Sequence, residues 1–86
     1  RVNHMSIFAK KGKYKVELVD ANGELYLLET IPEGYVGAGE RHAIAQTQGK
    51  MNEVIVFMQI YSKDNQEYID FKKEVIDRFI SKVLKK

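Results

Sequence analysis

The sequence predicts an α+β fold in which a small antiparallel sheet is covered by an amphipathic C-terminal helix. Three observations predict this fold. Residues 14–30 contain two strand-like stretches separated by a glycine turn, and residues 54–61 form a further apolar stretch. From about residue 66 to residue 84, written here as 66–84, apolar side chains recur every three or four positions, which is the period of a helix. We expect these elements to form a single domain over residues 5–86.

The N-terminal hairpin is predicted from an alternating pattern and a turn. Tyr14, Val16 and Leu18 alternate with charged residues, which is typical of a strand with one buried face. Gly23 then supplies a residue that adopts positive φ without steric cost, as a tight turn requires. Because apolar residues resume directly after the turn, we expect residues 14–30 to form two antiparallel strands.

Residues 40–49 fit two interpretations. As a helix, the segment places Ala43, Ile44 and Thr47 on a common side, and Gly49 supplies a C-terminal stop. As a strand, its successive residues would face opposite sides of the sheet. Alanine and glutamine together outnumber the β-branched residues here, so we favour the helix and the element order ββαβα. The strand interpretation gives the order ββββα.

Residues 54–61 are predicted to form the central strand. The stretch is apolar on both faces, and Ile55, Phe57 and Tyr61 share one of them. A strand that is apolar on both faces needs a cover on each of them. The C-terminal helix covers one face, and the other needs either residues 40–49 or a second subunit. Ile55, Phe57 and Tyr61 are therefore candidate interaction residues.

The C-terminal helix is predicted from its apolar stripe and its N-terminus. Asp64 and Glu67 fit a capping box, in which each residue satisfies amide groups that the first turn leaves unpaired. We place the charged residues, Lys72 among them, on the solvent side. The residues of the apolar stripe are Tyr68, Phe71, Val75, Ile76, Phe79, Ile80 and Val83.

The composition excludes several classes of protein. The 86 residues include no cysteine, so neither a disulfide nor a zinc site with thiolate ligands can stabilise the chain. No apolar run approaches the roughly 20 residues of a transmembrane helix, and no signal peptide is present, so we predict a cytoplasmic protein without membrane contact. A chain this short buries a modest fraction of its surface, and self-association would bury more. We therefore expect a homo-oligomer, most simply a dimer.

The first residues receive a separate interpretation. Arg1–His4 precede Met5, and a His-Met junction is typical of a cloning site. We interpret residues 1–4 as a vector remnant and Met5 as the native start, with an internal fragment of a longer protein as the alternative.

No motif in the sequence predicts an enzyme. The segment 37–42 has histidine where the dinucleotide fingerprint needs its third glycine, and it lacks the Gly-Lys-Ser/Thr end of a Walker loop. His42 has no cysteine and no second histidine at ligand spacing. We therefore predict no catalytic residue, no metal site and no cofactor.

Two functional hypotheses remain. The first is a protein-interaction or assembly module that self-associates, and this is the one we favour. The second is a small nucleic-acid-binding protein, whose basic N-terminal segment would follow a phosphate backbone while Tyr14 and the aromatic residues of the sheet stack on bases. The sheet aromatics that could extend this platform are Tyr26, Tyr35, Phe57 and Tyr61. Against the second, residues 16–40 carry six acidic residues and no basic one. Its candidate residues are Lys10, Lys11, Lys13, Tyr14 and Lys15, in the basic lead-in and at the start of the hairpin.

Overall fold

The computed structural model describes residues 8–11, 13–35, 37–49, 53–58 and 66–83. These residues form five strands and one helix. The strands make one antiparallel sheet in the order of the chain, with a helix packed on one face. The predicted α+β fold is therefore confirmed. The elements are β1 (Phe8–Lys11), β2 (Tyr14–Ala21), β3 (Glu24–Thr30), β4 (Arg41–Thr47), β5 (Val54–Val56) and α1 (Gln66–Val83).

The predicted hairpin is confirmed as β2 and β3. Their register runs from Ala21 opposite Glu24 to Lys15 opposite Thr30. The two linking residues, Asn22 and Gly23, have φ values of 55° and 78°. Two positive φ angles in a two-residue loop define a type I′ turn, whose twist matches that of the flanking strands.

Gly23 gives a direct test of this turn. A Cβ at this position would meet no atom within 4 Å, so any cost of a substitution comes from the backbone conformation. We expect Gly23→Ala to lower the free energy of unfolding by about 1 kcal/mol, because alanine resists positive φ. Gly23→Asn should cost less, since asparagine tolerates this region. Urea denaturation followed by circular dichroism would measure both, and equal losses would contradict the explanation.

The helix favoured for residues 40–49 is wrong, and the strand alternative is confirmed for residues 41–47. Helix propensity differs by only a few tenths of a kcal/mol per residue between common residues, so pairing with strands on both sides overrides it. A register shift in the pairing with β3 leaves Ile44 as an extra residue, and both Ile44 and Ala45 are buried. This bulge interrupts the alternation that would have indicated a strand.

The sheet edges also differ from the prediction. Residues 54–61 were expected to be central, but β5 covers Val54–Val56 and lies at one edge, while residues 59–61 are outside the described ranges. The other edge is β1, in the segment predicted as a lead-in. Because the strands lie side by side in the order of the chain, β3 is the central strand of the sheet.

Helix α1 supplies the core of the fold. It begins at Gln66 and ends at Val83, which confirms the predicted helix within the described residues; Asp64 and residue 84 lie outside them. The apolar stripe is buried as predicted, with Ile80 half-buried. At roughly 1.5–3 kcal/mol for each buried large side chain, the stripe is a major source of stability. It packs on Val16, Leu25, Leu27, Ile44 and Ala45 of the sheet.

Candidate functional site

Within the part of the chain that the structure describes, α1 covers one face of the sheet and no helix covers the other. Along β3, Leu25, Leu27 and Glu29 are buried beneath the helix, while Tyr26 and Leu28 alternate with them and are half-buried. The helix is the only one among the described residues, and it lies on the first face. We call the second face the open face.

A row of paired residues crosses the open face from β2 to β5. Val19 lies opposite Tyr26, Tyr26 opposite Gln46, and Gln46 opposite Ile55. Residues paired in this way share a side of the sheet. Phe57 follows Ile55 by two positions, so alternation places it on the same side. The structure therefore brings two of the predicted interaction residues, Ile55 and Phe57, onto the open face; Tyr61 lies outside the described residues.

At the β5 end of this row lies the segment Val56–Met58, which we call the β5 segment. Phe57 belongs to the open face, whereas Val56 lies opposite the buried Ala45 on the side of the sheet that α1 covers. Val56, Phe57 and Met58 are 45%, 44% and 42% exposed to solvent. They are the exposed large apolar residues of the described chain. They are consecutive and stand at the edge of the sheet, where the chain continues the pairing through Phe57 N–H donating to Ile44 O at 2.8 Å. Three neighbouring apolar side chains in water are a feature of interaction sites.

Four polar groups on the open face form two contacting pairs. The Arg41 guanidinium lies 3.2 Å from the Glu17 carboxylate. The Tyr26 hydroxyl donates a hydrogen bond of 3.0 Å to Glu24. This hydrogen bond, together with the negative charge of Glu24 and some burial, raises the pKa of Tyr26. Each of these four groups therefore already has a polar partner within the protein.

A buried polar cluster lies under α1, at the other side of the sheet. The Glu29 carboxylate is fully buried, and its Oε1 accepts hydrogen bonds of 3.0 Å from the Tyr68 hydroxyl and from the Lys72 ammonium. Lys72 is 1% exposed, so its predicted position on the solvent side of α1 is wrong. The carboxylate draws the ammonium inward, since an unpaired carboxylate is very costly in the core.

Aromatic rings enclose this cluster. The Tyr14 ring stacks on the Tyr68 ring with centroids 4.1 Å apart and planes within 11°, and Tyr35 meets Tyr68 edge-on at 6.3 Å. The Lys72 nitrogen lies 4.9 Å from the centre of the Tyr68 ring, within range of a cation–π interaction. Glu29 Oε2 has no hydrogen-bond partner among the described residues.

The geometry of the cluster indicates a role in positioning α1. Its two charges neutralise each other and are closed off from solvent, and Glu29 lies on β3 while its partners lie on α1. A displaced helix would separate them and leave a charge buried without a partner. Sequence reasoning missed this pair, although Glu29 continues the buried alternation of Leu25 and Leu27, and Lys72 is one turn beyond Tyr68. Glu29 and Lys72 lie 43 positions apart in the chain, so their contact becomes visible only in the folded structure.

The candidate nucleic-acid-binding residues lie partly on the β1–β2 pair and partly beside the core. The pairing of β1 with β2 places Lys10 opposite Lys15 and Lys11 opposite Tyr14. Lys13 lies 4.0 Å from Glu33, with both side chains exposed. One side of the Tyr14 ring is covered by Tyr68, so at most the other side can stack on a base. The backbone positions of Lys10 and Lys15 are therefore neighbours, while one side of the Tyr14 ring is already occupied.

His42 lies close to the carboxylate of Glu40. Glu40 Oε1 lies 3.6 Å from His42 Nε2. Among the described residues, no group of three or more histidine, aspartate or glutamate side chains could hold a metal ion. Over the same part of the chain, no helix has the length and hydrophobicity needed to span a bilayer.

Comparison of the chain with protein-family models, with curated proteins and with solved structures gives no match.

Proposed function

We propose that this protein is a non-enzymatic protein-interaction or assembly module that self-associates through the open face and the β5 segment. The observation that carries the proposal is the exposure of three consecutive large apolar residues, Val56, Phe57 and Met58, at the edge of the sheet. Each large apolar side chain that moves from water into an interface contributes about 1.5–3 kcal/mol at full burial. Burial of this segment against another surface would therefore stabilise a complex.

The identity of β4 supports a second molecule as that cover. Residues 40–49 were one of the two covers considered for the apolar central stretch. Since residues 41–47 form a strand within the sheet, they lie beside Val54–Val56 and cannot also pack over the open face. A cover of apolar character is then supplied by a partner, and a second copy of the chain meets that requirement.

Replacement of Phe57 tests the proposal. We expect the wild-type protein to sediment as a dimer and Phe57→Glu to weaken the dimer by about 30-fold or more, equivalent to about 2 kcal/mol for a buried apolar anchor. Ser81→Glu is the matched control, because it adds the same charge at an exposed position of α1. Sedimentation equilibrium would give both dissociation constants. A wild-type protein that stays strictly monomeric at high concentration would remove the proposal.

Nucleic-acid binding is the alternative, and the register of β1 and β2 favours it. Lys10 opposite Lys15 concentrates positive charge at that edge of the sheet. If phosphate contacts occur there, Lys15→Ala should weaken binding to all sequences and lower the salt slope by about one. Titration of labelled single-stranded and duplex oligonucleotides at two salt concentrations measures this. The absence of binding at low salt would eliminate the alternative. For either function we retain the cytoplasm as the predicted compartment.

A further inference from the structure

We infer that β5 pairs with β5 of a second copy in an antiparallel arrangement, so that two five-stranded sheets join into one continuous sheet. This inference rests on the proposed self-association, and it specifies which atoms make the contact. It concerns the main chain of Val54–Met58 as well as its apolar side chains.

The hydrogen bonds of β5 show which of its main-chain groups are available. Gln48 N–H donates to Glu53 O at 3.3 Å, and Phe57 N–H donates to Ile44 O at 2.8 Å. Because main-chain groups alternate in direction along a strand, residues 53, 55 and 57 point toward β4. The groups of Val54, Val56 and Met58 therefore point away from it. Within the described residues, no strand lies beyond β5 on that side.

This edge lacks the features that usually prevent pairing between molecules. Proteins protect sheet edges with lysine, with proline or with bulges. Residues 54–58 contain no charged residue and no proline, and their pairing with β4 shows no register shift. By contrast, the opposite edge, β1, carries Lys10 and Lys11. The unprotected edge thus also presents the exposed side chains of Val56, Phe57 and Met58.

Charge and symmetry select a second copy as the partner, paired through the same strand. Pairing of β5 with itself brings no like charges together, whereas pairing of β1 with itself would oppose lysines. Pairing of β1 with β5 would be head-to-tail and would leave free edges for unlimited growth. A twofold arrangement of β5 with β5 closes after two copies.

A twofold axis at Val56 matches both the main chain and the side chains. It places Val56 opposite its copy and Val54 opposite Met58 of the partner subunit, so that the outward groups of both strands face each other. It also places Ile55 opposite the partner's Phe57 on the open face. This is a position without direct main-chain bonds, where paired side chains approach most closely. The row of paired residues on the open face would then continue across the twofold axis.

Val56→Pro separates this contact from other modes of association. Proline removes the outward N–H of residue 56 and leaves the bonds of residues 55 and 57 to β4 untouched. Val56→Thr is the matched control, since it retains the amide and the β-branched shape. We expect Val56→Pro to weaken the dimer at least tenfold in sedimentation equilibrium and Val56→Thr to change it by less than threefold. Circular dichroism of each variant reports whether the fold is retained.

Amide hydrogen exchange of the wild-type protein provides a second measurement that needs no variant. Pairing predicts that the amides of Val54, Val56 and Met58 exchange at least tenfold more slowly at concentrations where the dimer forms than on dilution. Equal exchange at both concentrations would overturn the edge pairing. A dimer that resists Val56→Pro but is lost in Phe57→Glu would also overturn it, while leaving self-association intact. A monomeric wild-type protein would overturn both proposals.

Discussion

Replacing Lys72 with methionine is expected to lower the free energy of unfolding by about 3–5 kcal/mol, because the Glu29 carboxylate would remain buried without its ammonium partner. The ammonium lies 3.0 Å from Glu29 Oε1, and both side chains are within 1% of full burial. Domains of this size are stable by only about 5–15 kcal/mol, so the change removes a large part of the total. Urea denaturation monitored by circular dichroism would measure it.

Removing the whole polar cluster should have a much smaller effect than removing one charge. In the triple variant Glu29→Leu, Tyr68→Phe and Lys72→Met, no charge or hydroxyl of the cluster stays buried. We expect its stability to lie within about 1 kcal/mol of the wild type or above it, because an apolar replacement avoids the desolvation of two ions. The strong non-additivity between single and triple variants is the signature of a coupled buried pair.

Lys73→Met is the matched control for this series. Lys73 is exposed and is the next residue along α1, so its replacement should change stability by no more than about 0.5 kcal/mol. A loss in Lys72→Met no larger than in this control would show that Lys72 is not buried against Glu29.

The second large effect is expected at Phe79. Its side chain is fully buried in the cluster of apolar residues between α1 and the sheet. We expect Phe79→Ala to cost about 3–5 kcal/mol, the range for truncation of a buried aromatic ring, and Phe79→Asp to unfold the protein by burying a charge as well. Circular dichroism and urea denaturation would detect both outcomes.

Arg78→Ala is the control for Phe79, since Arg78 is exposed on the same helix. A folded Phe79→Asp variant with native-like stability would show that α1 does not pack on the sheet through this residue. The open face would then no longer be the only uncovered side, and the case for self-association would weaken with it.

The two predictions bear on function through the same geometry. The apolar stripe and the buried polar cluster together hold α1 on one side of the sheet and in one position along β3. This leaves Ile55 and Phe57 on the other side, away from the helix. Loss of either feature should therefore disturb association indirectly, through the fold, whereas Phe57→Glu should disturb it directly.

The sequence alone determined those elements that depend on residues close together in the chain. The stripe of α1 has the helical period over five turns, and the turn at Asn22 and Gly23 imposes positive φ between two alternating stretches. Both elements were predicted correctly, since side-chain periodicity and turn chemistry act between near neighbours. The strand at Ile55 was likewise predicted from a run of apolar residues, while the role of Ile55 and Phe57 in association stays a prediction.

Only the tertiary structure decided the features that depend on partners distant in the chain. Residues 41–47 became a strand because β3 and β5 flank them, although their alanines and glutamines favour a helix. The apolar stretch at Val54–Val56 became an edge instead of a centre because no described strand follows it in the sheet. Lys72 turned inward because Glu29, from a strand 43 residues earlier, offered it a carboxylate. For residues 41–47 and for Lys72, a contact between remote residues outweighed a local preference, since a lost strand ladder or a buried charge without its partner costs more than the few tenths of a kcal/mol per residue at stake locally.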